Sequence, residues 1–222
     1  MRVLLTGGAG YIGSHVVISL HQAGFEFVIY DNFSTSNKSD LTSIERIIGR
    51  KLDVVNGDIR NKLLLKKTFR LFNIDAVIHL AGFKSVDESF IRVNEYYENN
   101  FYGTLQLINA MDDCKINKII FSSSATVYGF PKKLPLEEVH DTNPTNPYGM
   151  IKLNIEHFLK FKSIKNPDFQ SIILRYFNPV GAHESGFIGD KNKKPSNLMP
   201  AIVKVGTKEE KNLSIFGNDY NT

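Results

Sequence analysis

Gly7-Gly8-Ala9-Gly10-Tyr11-Ile12-Gly13 follows a short aliphatic run, Val3 to Thr6, and opens a segment of helical character that extends from Tyr11 to Ala23. The glycines fit G-x-G-x-x-G when counted from Gly8 and G-x-x-G-x-x-G when counted from Gly7. Either spacing lets the backbone turn tightly after a strand and approach a pyrophosphate, which the N–H groups and dipole of a helix N-terminus attract. The stretch therefore predicts a strand, a phosphate-binding turn and a helix.

An acidic residue ends the second aliphatic run, Phe25 to Tyr30. It is Asp31, about 20 residues beyond Gly13, where a carboxylate accepts hydrogen bonds from a ribose 2′-hydroxyl. Because a carboxylate there repels a 2′-phosphate, NAD is favoured over NADP. The alternative interpretation is a glycine loop followed by an unrelated turn aspartate.

Short aliphatic runs alternate with longer segments of helical periodicity, which is the pattern of a parallel sheet covered on both faces. We therefore predict a doubly wound α/β fold of the Rossmann type. The six predicted strands are Val3 to Thr6, Phe25 to Tyr30, Leu52 to Val55, Ala76 to Leu80, Lys118 to Ser122 and Ser171 to Tyr176. After Asn178 the pattern loosens, with one helix-like stretch from Leu198 to Val205. We expect a nucleotide-binding domain over 1–178 and the beginning of a smaller, C-terminally truncated substrate domain over 179–222.

Composition and charge exclude several classes of protein. The chain has 222 residues, 42% of them hydrophobic, and a formal net charge of only +4, so neither disorder nor nucleic-acid binding is indicated. No apolar run approaches the roughly 20 residues of a membrane span, and no secretory leader is seen. Cys114 is the one cysteine and no histidines have metal-binding spacing, so we expect no disulfide and no metal site. We expect a cytoplasmic protein.

A tyrosine and a lysine four residues apart, Tyr148 and Lys152, lie in a segment that Asn146-Pro147 is well suited to start as a helix. Residues i and i+4 share a helix face, so the Lys152 ammonium is placed to stabilise a Tyr148 phenolate. A tyrosine that acts as a base near pH 7 needs its pKa lowered by about 3 units, and one cation supplies about 1–3. We expect the positive nicotinamide ring of NAD⁺ to supply the remainder.

Other polar residues follow predicted strands. Ser124 follows the fifth strand and is a candidate to share a substrate hydroxyl proton, although strand-end hydroxyls are more often turn or cap residues. Asp58 follows the third and either accepts from an adenine amino group or caps the next helix. His79 lies inside the fourth and is interpreted as a core histidine.

These motifs together resemble the extended short-chain dehydrogenase/reductase family, and within it the enzymes that epimerise UDP-hexoses at C4. The resemblance spans nearly the whole chain and rests on Thr6 to His15, Asp31-Asn32, Gly57 to Arg60, Ala81 to Lys84, Phe121 to Gly129 and Leu174 to His183.

The resemblance implies the roles of individual residues. Tyr148 is the implied base, Lys152 its modulator and a ribose ligand, and Ser124 the proton-sharing hydroxyl. The candidate cofactor-binding residues are Gly7, Gly10, Tyr11, Ile12, Gly13, Asp31, Asn32, Phe33, Ser34, Thr35, Ser36, Asp58, Ile59, Leu80, Ala81, Gly82, Phe83, Lys84, Asn99, Ser124, Tyr148, Lys152 and Phe177. The candidate substrate-binding residues are Lys84, Ser124, Tyr148, Asn178, Asn197, Leu198, Ser214 and Phe216, with Ser214-Ile215-Phe216 expected as a strand.

The implied reaction interconverts UDP-galactose and UDP-glucose by NAD-mediated oxidation at C4, rotation of the 4-keto sugar and return of the hydride. The resemblance also implies a homodimer formed through helices near 91–111 and 148–162. Two departures are visible: Met150-Ile151 replaces the usual Lys-Ser, and the chain stops where the family continues with arginines that neutralise the UDP phosphates.

Two alternatives stay open. A sugar-nucleotide 4,6-dehydratase shares the fold, but needs a further acid-base pair where this chain has Ala125 and Thr126. A non-catalytic NAD-binding fragment is the second alternative.

Overall fold

The computed structural model describes residues 1–190, 197–215 and 217, and contains a sheet of six parallel strands in the order β3-β2-β1-β4-β5-β6. The strands are β1 (Arg2–Thr6), β2 (Glu26–Asp31), β3 (Val54–Asn56), β4 (Ala76–His79), β5 (Lys118–Ser124) and β6 (Gln170–Tyr176). All six predicted strands are present within two residues of their predicted limits. The predicted doubly wound α/β fold is confirmed.

Helices connect the strands and cover both faces of the sheet. They are α1 (Tyr11–Gln22), α2 (Lys38–Ile48), α3 (Lys62–Phe72), α4 (Val86–Ile91), α5 (Val93–Tyr96), α6 (Gly103–Asp113), α7 (Pro147–Lys165) and α8 (Leu198–Gly206), with a π-helix at Tyr97–Tyr102 and a 3₁₀-helix at Ala125–Tyr128. The helix expected near 91–111 is present from Val93 to Asp113 as α5, the π-helix and α6 in direct succession. Arg92, with φ −115° and ψ 45°, ends α4, and the helix widens into a π turn before α6 begins.

The buried side chains of the sheet divide between two hydrophobic clusters. Leu4 and Val28 belong to the cluster formed with α3, α6 and α7, whereas Leu5 and Phe27 belong to the cluster formed with α1 and α2. Neighbouring strand residues point to opposite faces, so a sheet buried on both sides needs apolar residues at every position. This is why the strands are nearly continuous aliphatic runs in the sequence.

The strand order positions the site. All six strands run the same way, so their carboxyl ends lie along one edge of the sheet. The order reverses between β1 and β4, and ligands of open α/β sheets bind in the crevice that such a reversal creates. The glycine turn after β1 and the segment Leu80 to Lys84 after β4 flank this crevice.

The chain after β6 contributes little packing. Helix α8 has no buried residue, and its Leu198 is 64% exposed. The predicted strand at Ser214-Ile215 is wrong: both residues are exposed and lie outside any strand, while Phe216 lies outside the described residues. A strand requires a partner for its backbone groups, and the described part of the chain offers Ser214 and Ile215 none. None of the described helices combines the length and the hydropathy needed to cross a membrane.

Candidate active site

The glycine turn brings β1, α1 and the segment after β4 into close contact. A Cβ on Gly7, which has a φ of 72°, would lie 2.7 Å from the Ala81 amide nitrogen, and one on Gly13 would lie 2.2 Å from the Gly7 carbonyl oxygen. No described side chain caps α1, whose N-cap is Gly10. The N–H groups of its first turn therefore keep their capacity to bind an anion.

Asp31 lies at the end of β2, beside this turn, and is 8% exposed. Its carboxylate accepts hydrogen bonds from the Ala9 amide at 3.0 Å, the Phe33 amide at 2.9 Å and the Ser36 hydroxyl at 2.9 Å. These bonds fix the carboxylate between the glycine turn and the loop that contains the predicted Asn32 to Ser36. A carboxylate offers about four acceptor sites, so one is left for a ligand hydroxyl.

Asp58 is held by its own neighbours. Its carboxylate accepts two side-chain hydrogen bonds from Arg60, at 2.9 and 2.8 Å, and one from Asn32 at 3.1 Å. The Arg60 guanidinium lowers the pKa of this carboxyl to about 2. The helix-capping interpretation of Asp58 is wrong, because the Asn61 side chain caps α3 by accepting from the Leu64 amide at 3.0 Å.

The segment after β4 is clamped by an asparagine that sequence reasoning missed. The Asn100 carboxamide accepts from the Phe83 amide at 2.8 Å and donates to the Phe83 carbonyl at 2.9 Å, as a neighbouring strand would. The predicted Asn99 donates to the Asn100 side chain at 2.9 Å, and both asparagines are buried. Both asparagines belong to the π-helix, which places them against the segment that follows β4. The adjacent asparagines Asn99 and Asn100 within a helical segment were the feature of the sequence that could have indicated Asn100.

Ser124, Tyr148 and Lys152 lie together at the carboxyl end of β5. Ser124 is the last residue of β5, and Tyr148 and Lys152 lie in the first turns of α7, which Asn146 caps by accepting from the Gly149 amide at 2.7 Å. The Ser124 hydroxyl lies close enough to the Tyr148 phenol to lower the pKa of that phenol. The Lys152 ammonium lies 5.6 Å from the centre of the Tyr148 ring and donates to the Ser122 carbonyl at 2.6 Å.

Burial controls the electrostatics of this group. It raises the pKa of Tyr148 above its ordinary value, against a smaller lowering by the neighbouring Ser124 hydroxyl. It also lowers the pKa of Lys152 to about 8, against a raising effect of the Glu156 carboxylate. In the described protein Tyr148 is thus a protonated phenol, and the lowering that a base requires has to come from a further positive charge. The arrangement can transfer a proton between Tyr148 and a bound hydroxyl beside Ser124.

A buried ion pair supports the same strand end and was not predicted. Glu156, which is fully buried one turn after Lys152, accepts from the Ser123 hydroxyl at 2.5 Å and from two Arg175 nitrogens at 3.0 and 2.7 Å. The pair links α7 to β5 and β6. An acidic residue four positions after the lysine was the signal in the sequence.

The remaining predicted residues are less tightly joined to this group. Phe177 is 59% exposed, and its ring lies 6.4 Å from that of Tyr128. The predicted Lys84, Asn178, Leu198 and Ser214 are exposed, and Asn197 is half-buried at the N-cap of α8. Between described residues, no hydrogen bond joins these side chains to Ser124, Tyr148 or Lys152. No group of potential metal ligands was found among the described residues.

The position expected to carry a dehydratase acid-base pair has no carboxylate. Ala125 and Thr126 begin the 3₁₀-helix, and the Thr126 amide and hydroxyl donate to the Ser124 hydroxyl at 3.2 and 3.0 Å. The Thr126 contact orients Ser124 and supplies no acid for elimination.

Curated proteins match the chain over its whole length. A UDP-glucose 4-epimerase of Dictyostelium discoideum is 48% identical over 222 residues, which are 100% of this chain and 64% of the relative. One from Yersinia enterocolitica is 47% identical and is covered to 67%, also with 100% of this chain. The chain thus spans about two thirds of the length of the curated relatives it matches.

Solved structures of UDP-glucose 4-epimerases are also similar to this chain. A UDP-glucose-4-epimerase from Stenotrophomonas maltophila with bound NAD and formylated UDP-arabinopyranose superposes with a TM-score of 0.97 at 42% identity, over 100% of this chain and 66% of that one. A Bifidobacterium longum UDP-glucose 4-epimerase in complex with NAD⁺ and UDP gives 0.94 at 45% identity, over 100% of this chain and 67% of that one. The model of the NAD dependent epimerase/dehydratase family matches residues 3–221. The chain belongs to the NAD dependent epimerase/dehydratase family.

Proposed function

We propose that this chain is the cofactor-binding and proton-transferring part of an epimerase that interconverts UDP-galactose and UDP-glucose. The observation that carries the proposal is the buried cluster of Ser124 at the end of β5, Tyr148 in the first turn of α7 and Lys152 one turn further along the same helix. This group lies at the same edge of the sheet as the glycine turn. The relatives and structural neighbours that are UDP-glucose 4-epimerases support the same assignment.

The residues of the crevice fit a dinucleotide. Gly7 and Gly13 let the turn pack closely against Ala81 and against its own backbone, no described side chain caps the N-terminus of α1, and Asp31 keeps one acceptor site for a ribose hydroxyl. The segment Leu80 to Lys84 follows β4 on the other side, and Asn99 is joined to it through the side chain of Asn100. When bound, NAD⁺ supplies a reversible acceptor for the hydrogen at the sugar C4.

The residues of this chain handle the proton. Tyr148 accepts the proton of the sugar hydroxyl and later returns it, while Ser124 holds the hydroxyl beside the phenol. Lys152, with a pKa of about 8, is mainly protonated at pH 7 and contributes positive charge beside the phenolate. Burial opposes ionisation of Tyr148, so proton transfer becomes favourable only when a further positive charge is bound nearby.

We propose that the sugar nucleotide binds between the edge of the sheet and a substrate domain that begins near residue 179. Asn178, Asn197, Leu198, Ser214 and Phe216 are its proposed contacts. The exposure of α8 supports this assignment, since Leu198 and Met199 are 64% and 44% exposed at the start of that helix.

We also propose that two copies pair through the helices near 91–111 and 148–162. Exposed apolar side chains on these helices and their immediate surroundings support the proposal; they are Phe90, Ile91, Tyr102, Met150, Phe158, Phe161 and Ile164. Sedimentation equilibrium would show a dimer, whereas a monomer at all concentrations would contradict the proposal. A cytoplasmic location stays a prediction of the sequence.

The test of the function uses the purified chain with UDP-galactose and no added cofactor. We expect acid denaturation to release NAD from the protein, and chromatography to show UDP-glucose accumulating. Release of NAD without conversion would favour the non-catalytic alternative over catalysis by this chain. Absence of both would contradict the proposed function. Formation of a 4-keto-6-deoxy sugar would instead indicate a dehydratase.

A further inference from the structure

His79 is a fully buried histidine between two threonine hydroxyls. Its Nδ1 lies 2.7 Å from the Thr6 hydroxyl at the end of β1, and its Nε2 lies 2.8 Å from the Thr104 hydroxyl in the first turn of α6. The His79 ring also lies 5.9 Å from the Phe121 ring, and the Lys152 ammonium lies 4.8 Å from the centre of the same Phe121 ring. The sequence predicted a satisfied core histidine, and both ring nitrogens do have partners.

The threonines determine which ring nitrogen carries the proton. Thr104 donates its hydroxyl hydrogen to the Asn100 carbonyl at 2.5 Å, so its oxygen must accept from His79 Nε2–H. Because burial lowers the pKa of His79 and keeps the ring neutral, Nδ1 is unprotonated and accepts the hydroxyl hydrogen of Thr6. The Thr6 oxygen is left to accept the long hydrogen bond from the Ala81 amide at 3.4 Å.

These hydrogen bonds form one continuous chain, in which each group donates to the next, and the chain connects both ends of the segment Ala81 to Phe83. The chain of donors leads from Ala81 through Thr6 and His79 to Thr104 and the Asn100 carbonyl. The Asn100 side chain in turn forms hydrogen bonds with both the amide and the carbonyl group of Phe83.

Gly82 lies between Ala81 and Phe83, the two residues that these hydrogen bonds hold. Its φ is 156°, and a Cβ there would lie 3.1 Å from Asn100 Oδ1. The segment Ala81 to Phe83 is thus held at both ends, and a Cβ on Gly82 would press against the Asn100 side chain that holds one of them.

We infer that His79, through Thr6 and Thr104, is a positioning residue that fixes the segment Ala81 to Phe83 against the cofactor crevice. This inference rests on the proposed function, because it assigns the segment to NAD binding. The neutral ring sets the direction of these bonds: an imidazolium would donate at both nitrogens, and Thr6 would then have to accept from Nδ1 instead of donating to it. Burial, with a smaller contribution from Lys152, lowers the pKa of His79 to about 3 and keeps the ring neutral.

The test compares two buried threonines. Thr104 and Thr68 are 1% and 2% exposed, and each donates to the carbonyl four residues earlier in its helix, Asn100 and Leu64 respectively. Only Thr104 also accepts from His79. Thr104→Val therefore removes the relay together with the helix bond, whereas Thr68→Val removes a helix bond alone. Thr104→Ser keeps both hydrogen bonds and serves as the rescue.

Amide hydrogen exchange in the cofactor-free protein measures the relay without any ligand. We expect the Phe83 amide to exchange at least about fivefold faster in Thr104→Val, as loss of one hydrogen bond predicts, and at the wild-type rate in Thr68→Val and Thr104→Ser. Equal protection of Phe83 in Thr104→Val and wild type would overturn the inference. Nitrogen-15 spectra should show a neutral His79 ring protonated at Nε2, and the other tautomer would overturn it as well.

Binding of NADH, followed by its fluorescence, then connects the segment to the crevice. We expect Thr104→Val to bind NADH at least about fivefold more weakly than Thr68→Val. Equal affinities would overturn the positioning role. If wild-type protein binds no NADH at all, the proposed function fails, while the exchange and nitrogen-15 data still decide whether the relay exists.

Discussion

Replacing Lys152 by methionine is expected to stabilise the cofactor-free protein while abolishing epimerisation. The lysine is 6% exposed, and burial lowers its pKa from 10.5 to about 8. An unfolded lysine keeps the ordinary value, so ionising this group in the folded protein at pH 7 opposes folding by about 3 kcal/mol. The variant loses the hydrogen bond to the Ser122 carbonyl, which contributes about 1 kcal/mol. The net expectation is a gain of about 2 kcal/mol in the free energy of unfolding at pH 7.

The effect of Lys152 on the free energy of unfolding depends on pH in a direction that follows from its lowered pKa. Because the folded pKa is lowered, the unfolded chain binds more protons than the folded one between about pH 8 and 10.5. Wild-type stability therefore rises with pH across this window through Lys152, and the variant has no such contribution. The difference in the free energy of unfolding between Lys152→Met and wild type should be constant below pH 7 and should vanish near pH 10.

Urea denaturation at several pH values, with both proteins freed of cofactor, measures the difference. Lys165→Met is the matched control, since Lys165 is exposed at the end of the same helix. A Lys152→Met protein less stable than wild type at pH 7, or a difference independent of pH, would refute the reasoning.

Two further predictions concern the crevice. Gly13→Ala places a Cβ 2.2 Å from the Gly7 carbonyl oxygen, so we expect loss of about 2 kcal/mol of stability and of the retained NAD. Gly206→Ala, where a Cβ meets no atom within 4 Å, should leave both unchanged in thermal unfolding and NAD-release assays. Arg60→Met should raise the pKa of Asp58 from about 2 towards 3.8, because the bidentate partner is lost. A carbon-13 titration of the carboxyl checks this, and an unchanged pKa would exclude Arg60 as the cause.

The parallel sheet and much of the site were predictable from local sequence. Strands such as β1 and β2 are buried on both faces, so their hydrophobic runs alone reveal them, and the glycine turn and Asp31 follow at fixed offsets. Tyr148 and Lys152 were recognisable because Asn146 and Pro147 mark the start of a helix.

Other parts depend on tertiary contacts that no short window of sequence contains. The π turn that carries Asn100 is stabilised by bonds to Phe83, which lies 17 residues away along the chain. The ion pair of Glu156 and Arg175 joins a helix to a different strand. The strand at Ser214-Ile215-Phe216 was expected from the family resemblance, and a β-branched residue such as Ile215 joins a strand only where a partner strand is available.

The proton-transfer role of Tyr148 is tested most directly by Tyr148→Phe, which removes one oxygen and keeps the ring. Two quantities are measured on the same preparation: NAD released by acid, and conversion of UDP-galactose without added cofactor. Tyr102→Phe, at a tyrosine that is 48% exposed, is the control. We predict wild-type NAD content in both variants and a loss of conversion by about 10² to 10⁴ in Tyr148→Phe alone. Conversion by Tyr148→Phe at the wild-type rate, with NAD retained, would contradict the assignment of Tyr148 as the base.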